Sequence, residues 1–365
     1  MAAYTGIQGQ NILIVSSDPA NPTEGQIWYN STTNLWKGQK YVEAWASGGN
    51  LATGRNGLGG AGTTQSSFLA FGGGNPATLT NSESYNGTSW TSTPSLNTAR
   101  KDLFGTGTQT AALGAGGYNA GVRTDAELYN GTSWSPTGSL NTGRYIAAGV
   151  GTQTATIVFG GYPNLNATES FNGSTWTTLP ATMNTGRYSL SGAGISTAAL
   201  AFGGQNPAVT AATEAYNGTS WTSVNSMNTA RRYMAGFGTQ TAAIGAGGNP
   251  PVSGTAATES WNGTNWTTVN SLNTARAFSG AAGTQTAGVI FGGYITASTG
   301  ATELWNGTSW TTNPNSMSTV RYFGAGAGTQ SAGLAFAGSV PPYSVATEEF
   351  TGPSTTLNYK TLTTS

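Results

Sequence analysis

The sequence predicts an all-β chain made of repeated four-stranded units that close into a circle. Three observations carry this. One phrase returns along the 365 residues about every 44 positions. Each copy holds four short apolar or alternating runs separated by turn residues, with no helical periodicity. One element is missing from the last copy and stands instead ahead of the first.

The phrase is a double Gly, a variable stretch, ATES, an aromatic, NGTSW, then Leu or Met and NTxR. The tryptophans of NGxxW are Trp90, Trp134, Trp176, Trp221, Trp266 and Trp310. The arginines are Arg55, Arg100, Arg144, Arg187, Arg231, Arg276 and Arg321. The glutamates are Glu83, Glu127, Glu169, Glu214, Glu259, Glu303 and Glu348. Arg100 follows Trp90 by ten residues, and Arg55 follows Trp45 by the same ten, so Trp45 is the seventh tryptophan. The segment from Lys40 to Trp45 is then expected to supply the outer strand of a unit whose other strands come from 321–352. Four short strands per unit with circular closure describe a seven-bladed β-propeller over 41–352, closed by an N-terminal strand pairing with the C-terminal blade. Residues 1–40 form an N-terminal hairpin or attachment segment, and 353–365 a tail.

Within each unit the elements follow in order. Arg opens a Gly/Ala-rich first strand, whose small side chains suit the crowded centre around a narrow channel. The GTQT phrase turns the chain into an apolar second strand, such as Ala199-Leu200-Ala201-Phe202, which ends at Gly-Gly. ATES alternates with period two and is the third strand, opened by Glu. Asn-Gly leads to the fourth, with a type I′ turn expected from φ > 0 at both central residues. Trp starts that fourth strand and is expected to be buried between neighbouring blades.

The order of Gly-Gly, Glu, aromatic, Trp, Met/Leu and Arg resembles the kelch repeat, returned seven times over 41–352. The resemblance implies a kelch-type propeller. Two copies depart from it: the fourth has Gly194-Ile195-Ser196-Thr197 for GTQT, and the seventh has Ala337-Gly338 for Gly-Gly. The charge content is also low for the family.

Composition narrows the function. Lys and Arg number 13, Asp and Glu 13, and His and Cys are absent. Nucleophile systems that need His or Cys are excluded, and zinc, haem, iron–sulfur and copper sites lose their usual ligands. No cofactor or metal site is expected. Balanced charge with four Lys leaves no electrostatic footprint for nucleic acid. The apolar run Ile12-Leu13-Ile14-Val15 is too short to span a membrane and lacks a basic leader, so neither membrane insertion nor a signal peptide is expected. The non-repeating acids, Asp18, Glu24, Glu43, Asp102, Asp125 and Glu349, form no catalytic motif, and ESYNGTSW lacks the Asp of the sialidase box it echoes. The chain is read as no enzyme.

The seven arginines and seven glutamates are 14 of 26 charges. They sit at one level and are expected to form a structural ring of ion pairs, because an unpaired buried charge is costly. The Gln of GTQT is expected to bond neighbouring backbone. A unique site should use what does not repeat, and the loops after Gly-Gly differ in every copy. Their Asn75, Tyr118, Asn119, Tyr162, Asn164, Asn206, Asn249, Tyr294 and Tyr343 are the candidate contacts for carbohydrate or protein. The Asn-Gly-Thr/Ser triplets match glycosylation acceptors, but turn chemistry accounts for them.

The stretch DPANPTEGQIWYNSTTNLWKG, covering residues 18–38, reads as turn, strand, turn and strand, and resembles a short segment of bacteriophage tail-fibre and other virion proteins. That resemblance implies a virion structural protein of the tail or particle surface, bound to other virion proteins through residues 1–40 and contributing to adsorption on a host glycan or protein, or to assembly. Residues 1–24 suit docking on such a neighbour, and the same hairpin suits a cap on the last blade's edge. The alternative is a free, extracellular lectin-like propeller.

Overall fold

The computed structural model describes residues 13–19, 26–39, 43–250, 254–294, 296–340, 343–352 and 359–361. These residues form strands and turns, with no helix among them. They fall into two compact units, Met1–Ala44 with Thr351–Ser365, and Trp45–Phe350.

The larger unit is a β-propeller-like repeat of four-stranded antiparallel sheets. Six sheets take their strands consecutively, the first being Gly59–Thr64, Ser67–Phe71, Ser82–Tyr85 and Trp90–Thr93. A further sheet takes Ala325–Thr329, Ala332–Phe336 and Thr347–Thr351, and its fourth strand is Ala44–Ser47. That strand lies slightly later than the expected 40–45, and residues 40–42 lie outside the described set.

Second strands such as Ala198–Phe202 are buried on both faces, which their continuous apolar run requires. First strands of neighbouring sheets touch, and there glycine is needed: a Cβ on Gly105 would stand 2.6 Å from the Gly60 nitrogen. The hairpins differ from the expected turn. Tyr85 pairs with Trp90 across a four-residue connection, in which Gly87 alone takes a positive φ (92°). The Asn86 side chain, not its φ, makes this turn: Oδ1 accepts the N–H groups of Thr88 (3.0 Å) and Ser89 (2.9 Å). The first strand also begins later than expected, four residues beyond Arg100 at Phe104.

Three kinds of bond recur between neighbouring sheets, the first of them at every seam. The second Gly of Gly-Gly donates to the carbonyl of the following sheet's Arg, as Gly73 does to Arg100 (2.9 Å). Gln of GTQT reaches back to two carbonyls of the preceding sheet, as Gln153 does to Ala112 (3.1 Å) and Tyr129 (2.7 Å). The Trp indole donates to the hydroxyl that precedes Glu on the preceding sheet, as Trp221 does to Thr168 (2.8 Å). The same three bonds join the sheet of Ala325–Thr329 to that of Gly59–Thr64: Gly338 N–H to Arg55 O (2.9 Å), Gln65 to Gly333 O (3.0 Å) and Phe350 O (3.1 Å), and Trp90 to Thr347 (2.7 Å). Trp45 donates to Thr302 (2.8 Å), the same bond that five of its six counterparts make, Trp176 being the exception. Apolar clusters fill the seams, Phe68 and Ala70 packing with Leu334 and Phe336 in one of them. Of the seven tryptophans that open the fourth strands, five are buried, while Trp45 and Trp90 are half-buried.

In the smaller unit, Ile27–Asn30 and Leu35–Gln39 form the expected hairpin. Leu13–Val15 adds in parallel on one side, and Tyr359–Thr361 adds antiparallel on the other. Asp18 organises it, accepting from Trp28 Nε1 (3.0 Å), Asn30 Nδ2 (2.8 Å) and Lys37 Nζ (2.7 Å). Residues 1–12, 20–25, 353–358 and 362–365, on which the attachment and tail readings also fall, lie outside the described set.

Candidate functional site

Antiparallel order places Arg, Gly-Gly and Glu at one end of every sheet, and GTQT and Asn-Gly at the other. At the arginine end, each Arg is paired with the Glu of its own sheet: Arg55–Glu83 (3.0 Å), Arg100–Glu127 (3.1 Å), Arg144–Glu169 (2.6 Å), Arg187–Glu214 (3.2 Å), Arg231–Glu259 (2.8 Å), Arg276–Glu303 (2.7 Å) and Arg321–Glu348 (2.6 Å). All fourteen residues are buried. The carboxylate also accepts backbone N–H groups of the incoming NTxR segment, as Glu169 does from Asn141 (2.7 Å) and Thr142 (3.1 Å). Each Glu therefore clamps the chain as it crosses from one sheet to the next.

Satisfaction of the guanidinium varies. Arg144 bonds through Nε to Thr142 O, through Nη1 to Gly160 O and Ala167 O, and through Nη2 to Glu169. Arg187 leaves Nε and Nη1 without hydrogen-bond partners. Burial pushes the arginines below their usual pKa range against the opposing pull of their glutamates, with Arg187 brought down to about 10. They remain cationic at neutral pH.

The two residues after each Arg lie at this end, most of them half-buried, with Phe323 exposed and Ser189 and Ala277 buried. The first makes a backbone bridge to the residue after Gly-Gly: Lys101 to Tyr118, Tyr145 to Tyr162, Ala277 to Tyr294, Tyr322 to Ser339. The second takes the left-handed conformation in every sheet, with φ between 50° and 58° at Gly57, Asp102, Ile146, Ser189, Tyr233, Phe278 and Phe323. For β-branched Ile146 this is a strained backbone. Successive members are linked by N–H to carbonyl bonds, running Asp102 to Gly57 (2.6 Å), Ile146 to Asp102 (3.2 Å), Ser189 to Ile146 (3.2 Å), Tyr233 to Ser189 (3.2 Å), Phe278 to Tyr233 (3.1 Å) and Phe323 to Phe278 (3.0 Å). A fixed backbone thus displays a changing set of side chains.

Aromatic rings gather there in two arcs. One is Tyr118, Tyr145, Tyr162 and Tyr188, with successive centroids 5.4, 4.9 and 5.6 Å apart. The other holds Tyr233, Phe278 and Phe323, spaced 4.3 and 4.2 Å, with Tyr294 and Tyr322 (5.0 Å) beside them. Arg232 lies over the Tyr233 ring at 5.2 Å and bonds Gln205. Between the walls is a cavity of about 470 Å³, lined on one side by Asn56, Lys101, Asp102 and Ile146 and on the other by Tyr233, Phe278 and Phe323. Burial raises the Asp102 pKa, opposed by the Lys101 charge.

Of the sequence-derived loop residues, Tyr118, Tyr162 and Tyr294 stand in these arcs. Asn164 is exposed beside them, at φ 57°. Three asparagines are turned onto the scaffold: Asn75 donates to Gly54 O (2.6 Å), Asn206 to Gly186 O, and Asn119 accepts from Thr78 (3.0 Å). Asn249 is half-buried and bridges Arg232, and Tyr343 is half-buried. The left-handed position, two residues after Arg, escaped the sequence reading. Its signal was a bulky or charged residue at the mouth of a strand otherwise made of Gly and Ala.

Among the described residues no cluster of three or more acidic side chains could hold a metal, and no helix is long and apolar enough to cross a membrane. No protein-family model matches the chain, and no curated protein matches it.

Proposed function

We propose that the chain is a closed seven-bladed propeller of the kelch type, acting without catalysis as a binding component of a bacteriophage tail or particle surface. The observation that carries the binding role is the gathering of non-repeating aromatics at one end of an otherwise repeated scaffold. Rigid rings on a fixed backbone give contact area at little entropic cost. Closure is supported by the bonds of Gly338, Gln65 and Trp90, which repeat across the last seam the three kinds of bond found between the other sheets. The cavity's one carboxylate, Asp102, suits recognition better than glycoside hydrolysis, which takes two.

The virion assignment rests on the resemblance of residues 18–38. It is supported by their folding as a unit of their own, with Leu13 and Ile14 exposed on its outer strand as an attachment surface would have them. Partners are then other virion proteins at residues 1–40 and a host glycan or protein at the aromatic end. The same aromatics favour a second reading, a free lectin-like propeller. Gold labelling of particles with an antibody to this chain separates them. Gold at the tail or fibre tips supports adsorption, gold over the head supports a decorating role, and particles without gold leave the free lectin.

A further inference from the structure

We propose that the cavity at the arginine end is a saccharide site. It takes a neutral pyranoside whose apolar face stacks on the wall of Tyr233, Phe278 and Phe323 and whose hydroxyls bond Asp102 and Lys101. This rests on the binding role above and gives that role a place and a ligand class.

The two walls differ in kind. Three sheets contribute the aromatic wall, with centroid spacings of 4.3 and 4.2 Å between neighbouring rings. Phe323 is 40% exposed there, an unusual cost for a ring that only fills a core. Three other sheets contribute the polar wall. The half-buried Asp102 carboxylate accepts no side-chain hydrogen bond among the described residues. Space for it is kept by Gly57, where a Cβ would stand 2.5 Å from Asp102 Oδ1. A half-buried acceptor with unmet capacity is the usual partner of a ligand hydroxyl.

Charge selects the ligand further. Lys101 adjoins Asp102 in the lining, and Arg232, outside the lining, lies over the Tyr233 ring at 5.2 Å. A cationic ligand would meet Lys101. An anionic one would meet Asp102. A neutral polyol uses the carboxylate as acceptor and the ammonium as donor, and its C–H face needs the rings. The volume, about 470 Å³, lies within the range of small-ligand sites and holds one or two pyranose units.

The site is also independent of the scaffold's needs. The seven left-handed positions, all but Ser189 lining the cavity, share one backbone conformation, yet their side chains run Gly, Asp, Ile, Ser, Tyr, Phe, Phe. Packing alone would favour repetition there, as it does at Arg, Glu and Trp. Left-handed backbone at six non-Gly residues is held against its own preference, and such strain collects where side chains must be aimed.

The test is calorimetric titration of the full chain with methyl glycosides of glucose, galactose, mannose, rhamnose and N-acetylglucosamine. The variants are Asp102→Asn, Phe278→Ala and Tyr162→Ala, with Asn217→Ala at the opposite end as control. Unfolding midpoints check that each variant folds, and Asp102→Asn changes no volume. At least one glycoside is expected to bind, with affinity falling about tenfold or more in Asp102→Asn and Phe278→Ala and unchanged in Asn217→Ala. Binding that survives both cavity variants, or that falls only with Tyr162→Ala, overturns the cavity while leaving the binding role standing. No binding of any of the five overturns the saccharide. Unlabelled particles in the gold experiment, by contrast, remove the virion assignment and leave this site untouched.

Discussion

The two ends of the sheets carry the same number of connections but treat them differently. At the hairpin end, one solution repeats: Asn86, Asn130, Asn217 and Asn306 each fold a side-chain oxygen over two backbone N–H groups. At the arginine end, an invariant buried layer of Arg–Glu pairs lies beside a position where no rule holds for side chains. Constancy marks what each sheet needs for itself and its neighbour. Variation on a constant backbone marks what the whole molecule uses, and it occurs at one end.

The sharpest way to break that contrast is to remove the constant layer. Glu169→Ala leaves a buried Arg144 unpaired and two backbone N–H groups unmet, so urea unfolding should show a loss of about 3–5 kcal/mol. Trp221→Ala should cost a similar amount, by cavity formation in the seam. Arg144→Met should cost more than Arg187→Met, because Arg187 keeps two nitrogens without partners in the native state. Equal costs, or an unchanged melting temperature for Arg187→Met, would contradict the account of the pairs as structural.

Two natural exceptions allow the seams to be improved. Sheet four has Ser196 where others have Gln, so its seam with sheet three lacks that bond. The Gln bonds fall on registered residue pairs such as Ala112↔Tyr129, and Thr156↔Phe171 is the matching pair on sheet three. Ser196→Gln should therefore raise stability by about 1 kcal/mol. Trp176 Nε1 has no partner, because Ala126 stands where its counterparts meet Ser or Thr. Ala126→Thr should add about 0.5–1 kcal/mol, read as a higher unfolding midpoint. Asn217→Ala, at the hairpin end, should lose about 1 kcal/mol and leave ligand binding intact.

The smallest effect is local and pH-dependent. Hydrogen bonds from Lys37, Asn30 and Trp28 hold the Asp18 carboxyl down at about 2, below its ordinary 3.8. Its contribution to the N-terminal sheet is full above the ordinary value and is lost as pH falls through about 2. The Trp28 indole N–H resonance should hold steady from neutral pH to about 4 and move only near pH 2.

Much of the scaffold was legible because it repeats. Trp45, displaced from the last unit, marks the strand that joins the last sheet, and the structure pairs that strand with Thr347–Thr351. The Gln of GTQT reads correctly as a bond to neighbouring backbone. What the repeat hides is geometry inside a short phrase. Asn-Gly suggests a two-residue turn, but the Asn side chain builds a four-residue one, since accepting two N–H groups outweighs the tighter loop. The candidate site was half legible. Tyr118, Tyr162 and Tyr294 stand out as loop aromatics, whereas Asp102, Tyr233, Phe278 and Phe323 sit in a stretch that reads as strand. Their gathering depends on a left-handed backbone that the residues themselves disfavour, so composition does not announce it.

The proposed closure of the sheets would bring their first strands together around one mouth at the arginine end. Asn56 Nδ2 donates to Ser339 Oγ at 2.7 Å, across 283 residues of chain. The protein has no cysteine, so Asn56→Cys with Ser339→Cys places the only two thiols in the molecule. Treatment with a short bis-maleimide should join them within one chain, giving a faster band on a denaturing gel that neither single variant shows. Two unlinked adducts, or links only between chains, would contradict closure and with it the shared mouth.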